Sequence, residues 1–377
     1  MDYAATTPVD PAVAAVMGRF LTMDGIFGNP ASRSHVYGWE AAEAVDQARC
    51  QVADLIGADH REIIFTSGAT EADNTAVKGA ALARRALDGR DHVVTSAIEH
   101  KAVLDPCRYL ESLGFSVTYL RPGRQGVISP DQVLEALTDR TALVSLMHVN
   151  NETGAVNDIA AVARICRERG ILLHADCAQS LGREKIDVGT CWADLVSLSA
   201  HKIYGPKGVG ALYVRRSPEV KIEPLIHGGG HERGFRSGTL PTHQIAGMGE
   251  ACRLAAERFA QDTARIRELR DTLERKLMTL PGVTLNGPRD GRVCGILNLS
   301  FAGVEGETLL ASLKDVAVSS GSACNSASVE PSYVLTAMGV PRDLAHASLR
   351  FSLGRFSTPE EVDCVFRAVT RMVAALR

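Results

Sequence analysis

The sequence predicts an α/β protein, with a mainly parallel sheet in a large domain followed by a smaller α+β domain, and three observations carry this. Short apolar runs alternate with helical patterns over the first two-thirds of the chain, the alternation stops near residue 245, and a long charged helical stretch follows. Strands that alternate with helices favour a parallel sheet, because each crossover lays a helix over one of its faces.

The apolar runs are 62–65, 92–95, 142–147, 171–174, 195–198 and 210–214. They are rich in Val, Ile and Leu, and their length suits buried strands. The stretch 247–280 carries Glu and Arg/Lys three and four positions apart, the pattern of a solvated helix face, and leads into a shorter pattern of strand, helix, strand and helix. The expected division is 13–245 for the large domain, with 1–12 and 246–377 forming the small one. There is no internal repeat, low-complexity tract or Pro/Ser-rich linker.

With 377 residues, 45% of them hydrophobic, the chain can bury a sizeable core. A net charge of -3 with a pI near 6.4, and no cluster of four or more Lys/Arg, argues against direct nucleic-acid binding and leaves small molecules or proteins as partners. No apolar run of 18 residues is present to span a bilayer, and the start lacks a signal peptide's basic and apolar segments. The expectation is a cytoplasmic protein with no membrane partner.

Nine scattered cysteines without a Cys-x-x-Cys pair fit neither a disulfide framework nor a zinc site, and no free metal ion is expected. Cys50, Cys166, Cys252 and Cys364 fall in amphipathic helical patterns and are expected to be buried, inert thiols. Cys324 differs. It lies in the run 319–327, made of Ser, Gly, Ala and Asn, which has little to bury and is expected to swing.

The chemistry begins at 199–210, Ser-Ala-His-Lys-Ile-Tyr-Gly-Pro-Lys-Gly-Val-Gly, just after a predicted strand. Lys202 therefore sits at a strand's carboxyl end, where open α/β sheets bind ligands. A lysine there is ordinarily just solvated, but here Ser199 and His201 can donate to an anion and the glycines let the backbone approach it. That suits a phosphorylated carbonyl cofactor held as a Schiff base to lysine.

Pyridoxal phosphate is such a cofactor, and it needs an acid beside its pyridine nitrogen. Asp176 follows the run 171–174 and fits that need, although an aspartate after a strand also serves simply as a helix cap. Gln179 is placed to reach the ring's phenolic oxygen, as is Asn151 after another strand. The phosphate needs backbone N–H groups at a helix start. Residues 66–74, Thr-Ser-Gly-Ala-Thr-Glu-Ala-Asp-Asn, supply one, with Gly68, Ala69 and Thr70 as contacts. His100 is suited to stacking on the ring and shuttling protons.

Taken together, residues 2–10, 27–32, 66–74, 199–202, 227–234 and 319–327 resemble the class V, fold-type I pyridoxal-phosphate cysteine desulfurases, in their IscS/NifS branch, over essentially the whole chain. The resemblance implies a seven-stranded, mainly parallel sheet in the large domain. It implies that Lys202 carries the cofactor, that Asp176 pairs with the pyridine nitrogen, that Gln179 and Asn151 meet the ring oxygen, and that His100 stacks above. It places Ala69, Thr70, Ser199 and His201 in the phosphate cup, with Thr239 reaching the phosphate of the other subunit of a homodimer. Arg350 is the implied grip on the carboxylate of L-cysteine, with Asn29 assisting.

The resemblance also implies the reaction. Lys202 moves the substrate's α-proton, and the Cys324 thiolate attacks the substrate sulfur, giving L-alanine and a persulfide on Cys324. The persulfide would pass to a sulfur-acceptor protein, an iron–sulfur scaffold or a thiolation relay, and Cys324 would transiently share a 2Fe-2S cluster with a scaffold partner.

The sequence departs from the family pattern at Ala200, where glycine is usual, and at Asn325, where threonine is frequent. It starts inside the first motif and stops at Arg377, short of the tail with which these enzymes help dock the scaffold. The sulfur's destination is therefore open on sequence grounds. Selenocysteine lyase or aminotransferase chemistry would use the same cofactor residues, though a transaminase would leave Cys324 unexplained. A catalytically idle scaffold would leave Lys202, Asp176, His100 and Cys324 unexplained together.

Overall fold

The computed structural model describes residues 1–190, 192–320 and 330–377; Cys191 and the segment 321–329, with Cys324 and its expected swing, lie outside the described residues. The larger sheet contains β1 (Ile63–Thr66), β2 (His92–Ser96), β3 (Ser116–Leu120), β4 (Thr141–Met147), β5 (Leu172–Asp176), β6 (Leu195–Ser199) and β7 (Gly210–Val214). Their order is β1-β7-β6-β5-β4-β2-β3. Strand β7 runs antiparallel to both neighbours, and the other pairings are parallel.

Helices cover both faces, and the period-two alternation of the strands decides which residue meets which layer. Val93, Leu143, Leu172 and Leu195 face Ala72, Ala76 and Ala80 of the helix Ala69–Asp88 and Val103 of the helix Lys101–Ser112. Val94, Val144, Leu173 and Val196 face the other way, toward Val45 and Val52 of the helix Val36–Ile56 and Val162 of the helix Ile159–Glu168. Burial on both faces is why these strands read as continuous apolar runs. Strand β3 was not among those runs: it is a half-exposed edge strand, Ser-Val-Thr-Tyr-Leu, whose polar residues break the run.

The long helix spans Thr242–Leu277 rather than 247–280; it starts directly after Pro241, and its first turn, Thr-His-Gln, lacks the apolar period that would reveal it. Its first half, with Ile245, Met248 and Ala251, packs into the core of the large sheet. Its second half, with Ile266, Leu269, Leu273 and Leu277, packs into a second core. That core is built on an antiparallel sheet of β8 (Val283–Leu285), β9 (Ile296–Phe301) and β10 (Ser348–Ser352), in the order β10-β9-β8. Val362, Val365, Val369 and Val373 of the helix Pro359–Leu376 complete it.

The first residues join the small sheet, with the Ser352 N–H donating to the Met1 carbonyl at 2.8 Å and the Tyr3 N–H to the Ser352 carbonyl at 3.2 Å. Among the described residues, no helix is long and apolar enough to cross a membrane. The cysteine expectation needs a correction. Cys166 and Cys252 are buried, and burial pushes both thiols up to about 12, but Cys50 and Cys364 are exposed on the outer sides of their helices.

Candidate active site

The carboxyl ends of β2, β4, β5 and β6 deliver their loops to one place. Strand β5 ends on Asp176, and β6 ends on Ser199 and turns tightly through Ala200–Lys202, with Asp176 in register with Ser197 across the pair. After β2, His100 caps the helix Lys101–Ser112, its Nδ1 accepting the Ala102 N–H at 3.1 Å. In a neutral imidazole, that leaves the proton on Nε2. Asn151 lies just beyond β4.

These side chains line a cavity of about 530 Å³ together with Gly68, Ala69, Thr70, Asp73, Gln179, His201 and Lys202. A cleft of about 1130 Å³ adjoins it, sharing His100, Asn151, Gln179 and Lys202 and adding Arg350. A separate cleft of about 740 Å³, lined by Arg267, Arg270, Glu274 and Arg292, contains none of the residues singled out from the sequence.

The glycines have a definite use here. Gly68 has φ 152°, in the region that favours glycine, and a Cβ on Gly210 of β7 would sit 2.7 Å from the Gly68 Cα and 2.4 Å from the Leu198 carbonyl. The helix Ala69–Asp88 therefore starts directly against the sheet, and no side chain caps it. Its first N–H groups are left for an anion.

The Lys202 Nζ donates to the carbonyls of Ala4 at 2.5 Å and Ala5 at 2.8 Å. The turn that carries it is fixed from several sides. Arg183 donates to the Lys202 carbonyl at 3.0 Å, and Tyr204, at φ 68°, donates its N–H to Thr7 Oγ1 at 2.8 Å, accepts the Arg355 N–H on its hydroxyl and lies under the Arg355 guanidinium at 4.3 Å. Such a backbone conformation in a non-glycine residue persists only when its surroundings hold it.

Burial and then the neighbouring Asp73 carboxyl push Asp176 up to about 6; its Oδ1 accepts the Ala178 N–H at 2.9 Å. Burial, then Lys202 and Lys207, push His201 down to about 4, so it is neutral at pH 7, with Nδ1 3.0 Å from Thr6 Oγ1.

A phosphorylated pyridine ring fits what is left unsatisfied. Among the described residues Ser199 Oγ and Asn151 Oδ1 are buried without a hydrogen-bond partner, the helix start at Ala69 and Thr70 is uncapped, and a protonated ring nitrogen beside the buried Asp176 would bring its carboxyl back toward the ionised form.

The family model for class-V aminotransferases matches residues 1–365. The chain belongs to the class-V aminotransferases. Cysteine desulfurase IscS of Serratia proteamaculans (strain 568) is 59% identical to it over 377 residues, covering 100% of this chain and 93% of that protein. A solved NifS-like protein superposes with a TM-score of 0.92 at 35% identity, over 100% of this chain and 99% of that one. SspA, solved in complex with cysteine, superposes with a TM-score of 0.83 at 40% identity, over 95% and 99% of the two chains. These relatives place this class-V aminotransferase in the cysteine desulfurase branch, whose cofactor is pyridoxal phosphate.

In this class-V protein the remaining predicted residues are placed as follows. Arg350, on β10, is 3% exposed and borders the wider cleft. Thr239 and Asn29 are exposed and line neither the cavity nor the wider cleft; Asn29 Oδ1 accepts the Ala31 N–H at 2.9 Å. Gln179 reaches the cavity with its amide already engaged, Nε2 donating to the Ala4 carbonyl at 2.8 Å.

Three contributors were missed in the sequence. Asp73 lies one helical turn after Ala69 on the cavity side, a spacing that was available to be read. Arg183 stands four residues after Gln179 and donates to its Oε1 at 3.0 Å. The carbonyls of Ala4 and Ala5 left no signal, because any residue supplies a carbonyl.

Proposed function

We propose that this pocket binds pyridoxal phosphate on Lys202 and removes the sulfur of L-cysteine, leaving L-alanine and a persulfide on Cys324. The observation that carries the reading is that Lys202, Asp176 and the uncapped start of the helix Ala69–Asp88 line one cavity in which Ser199 Oγ and Asn151 Oδ1 lack partners among the described residues. The cofactor, when bound, supplies an electron sink next to the substrate's α-carbon.

The protein's own residues do the rest. Ser199, His201, Ala69 and Thr70 hold the phosphate, and Asp176 keeps a proton on the ring nitrogen. Asn151 and Gln179 meet the ring oxygen and His100 stacks on the ring. Lys202 moves the α-proton while Arg350 holds the substrate carboxylate, a task suited to a planar fork. The Cys324 thiolate forms the new S–S bond as the carbon–sulfur bond breaks, and the electron pair released to the β-carbon takes up a proton to become the methyl group of alanine.

The enzyme works as a homodimer in the cytoplasm and hands its persulfide sulfur to an acceptor protein, for iron–sulfur cluster assembly or for thiolation of tRNA and cofactors. Two features support the dimer: Thr239 and Asn29 lie outside their own chain's cavity, and the segment 23–39 exposes the apolar side chains Met23, Phe27, Tyr37 and Trp39, Met23 being 82% exposed and Phe27 against Tyr37. Borohydride reduction of the loaded protein, followed by peptide mapping, tests the site. A pyridoxyl group on Lys202 is expected; a label on another lysine, or none, overturns the reading.

A further inference from the structure

We propose that Asp2 sets substrate selectivity: it occupies the place on Arg350 that the carboxylate of an α-amino acid must take, and it yields that place when substrate binds. The proposal rests on the reading above that Arg350 receives the substrate carboxylate.

Arg350 has few donors left to give. Nη1 donates to the Asn151 carbonyl at 2.9 Å, Nη2 donates to Asp2 Oδ1 at 2.9 Å and to Ser319 Oγ at 3.3 Å, and Nε is buried with no partner. A guanidinium offers a carboxylate two forks, Nη1 with Nη2 and Nε with Nη2, so both require Nη2. Both hydrogens of Nη2 are taken. A substrate carboxylate therefore gains a two-point grip only by displacing one of these acceptors.

Asp2 is the exchangeable one. Its side chain is 24% exposed and, among the described residues, is held besides Arg350 only by the Ser319 hydroxyl donating to Oδ2 at 2.9 Å, whereas Ser319 is 7% exposed and pinned by its own N–H and carbonyl to the backbone of Arg350. Replacing one carboxylate with another also keeps the buried guanidinium paired throughout, which avoids the large penalty of an unpaired buried charge. The backbone bonds of Met1 and Tyr3 to Ser352 hold Asp2 within reach, so only its side chain needs to move. A thiol amine without a carboxylate has nothing to exchange for Asp2, so the arrangement selects amino acids over simple aminothiols.

The test uses the cofactor-loaded enzyme and compares the parent with Asp2→Asn, Ser319→Ala and Arg350→Lys, reading KM for L-cysteine and the calorimetric Kd for L-alanine. Asp2→Asn removes the competing charge, and both constants should fall about three- to tenfold, with cysteamine unaffected. Ser319→Ala frees one Nη2 hydrogen and also removes the hydroxyl that holds Asp2 Oδ2, so it eases the exchange and should move both the same way, and it carries the test alone if Asp2→Asn does not fold. Arg350→Lys should raise both. If Asp2→Asn raises or preserves the constants while Arg350→Lys raises them, Asp2 merely orients Arg350 and the inference is overturned with the site intact. If Arg350→Lys changes neither constant, Arg350 is not the carboxylate seat, and both readings fall.

Discussion

Arg183 Nη1 donates to Gln179 Oε1 at 3.0 Å, and this contact decides which end of the Gln179 amide faces the pocket. With the oxygen engaged and one Nε2 hydrogen given to the Ala4 carbonyl, the second Nε2 hydrogen is what Gln179 can offer a ring oxygen. The same guanidinium donates through Nη2 to the carbonyls of Lys202 at 3.0 Å and Tyr3 at 3.3 Å. Arg183→Met leaves those acceptors without their donor, at about 1–3 kcal/mol for each group left unsatisfied. The expected outcome is a lower melting temperature and cofactor affinity weakened by about tenfold, which corresponds to ~1.4 kcal/mol. Absorbance titration of the apoprotein with pyridoxal phosphate checks this, and an unchanged Kd would count against the positioning role.

Asp176 should trade stability for cofactor binding. Its folded pKa of about 6 lies above the ordinary carboxylate range, chiefly through burial and secondly through Asp73. The folded apoprotein thus holds this proton to higher pH than the unfolded chain, so Asp176 costs stability as pH rises from about 4 through 6, and the full cost remains at pH 8. Asp176→Asn removes that cost. The apo variant should melt higher than the parent at pH 8, with the difference disappearing near pH 4, and it should gain less from added cofactor. Melts of both proteins at the two pH values, with and without pyridoxal phosphate, measure the exchange; an apo variant that melts lower at pH 8 would refute it.

Glu232 and Arg49 form a buried clamp between the segment 227–239 and the helix Val36–Ile56 beside strand β1. Arg49 Nη1 and Nη2 meet the two Glu232 oxygens at 2.8 and 2.7 Å, and the Phe65 N–H donates to Oε2 at 2.7 Å. Glu232 sits at φ 47°, a conformation these bonds hold in place. Glu232→Ala leaves the Arg49 guanidinium, 6% exposed, with only the Ile63 carbonyl and the solvent-exposed Asp46 carboxylate at 3.9 Å, and should cost about 3–5 kcal/mol in denaturant unfolding. A loss below ~1 kcal/mol would place the clamp among ion pairs that contribute little.

The exposed thiols separate from the buried ones in a simple labelling experiment. Cys50 and Cys364 are exposed, whereas Cys107, Cys177 and Cys252 are buried and their thiols pushed up by that burial. Brief alkylation of the native protein should modify Cys50 and Cys364 and spare those three, as read by peptide mass spectrometry; early labelling of Cys252 would contradict the packing of the long helix.

Much of the site was legible because its residues follow strand ends, and a strand end announces itself through the apolar run before it. Asp176, Ser199, Lys202 and Asn151 were found this way, and the fold places them beside one cavity. What stayed hidden depends on contacts between distant parts of the chain. Arg350 and Asp2 are separated by 348 positions, and Arg183 touches the backbone of residues 3 and 202; no local pattern marks either pairing. Strand β3 escaped because half of it faces water. Cys50 and Cys364 were misread because a helical pattern alone does not fix which side of the helix a small residue occupies.

In the proposed reaction, L-cysteine sulfur passes to Cys324 in a step driven from Lys202. The most direct measurement is the release of alanine and sulfide from L-cysteine in the presence of a reductant, with the parent, Cys324→Ala and Lys202→Ala compared after loading with pyridoxal phosphate. Equal amounts of both products from the parent, and neither from either variant, is the predicted result. Sulfide release that persists in Cys324→Ala, or turnover by the parent without alanine, would contradict the account.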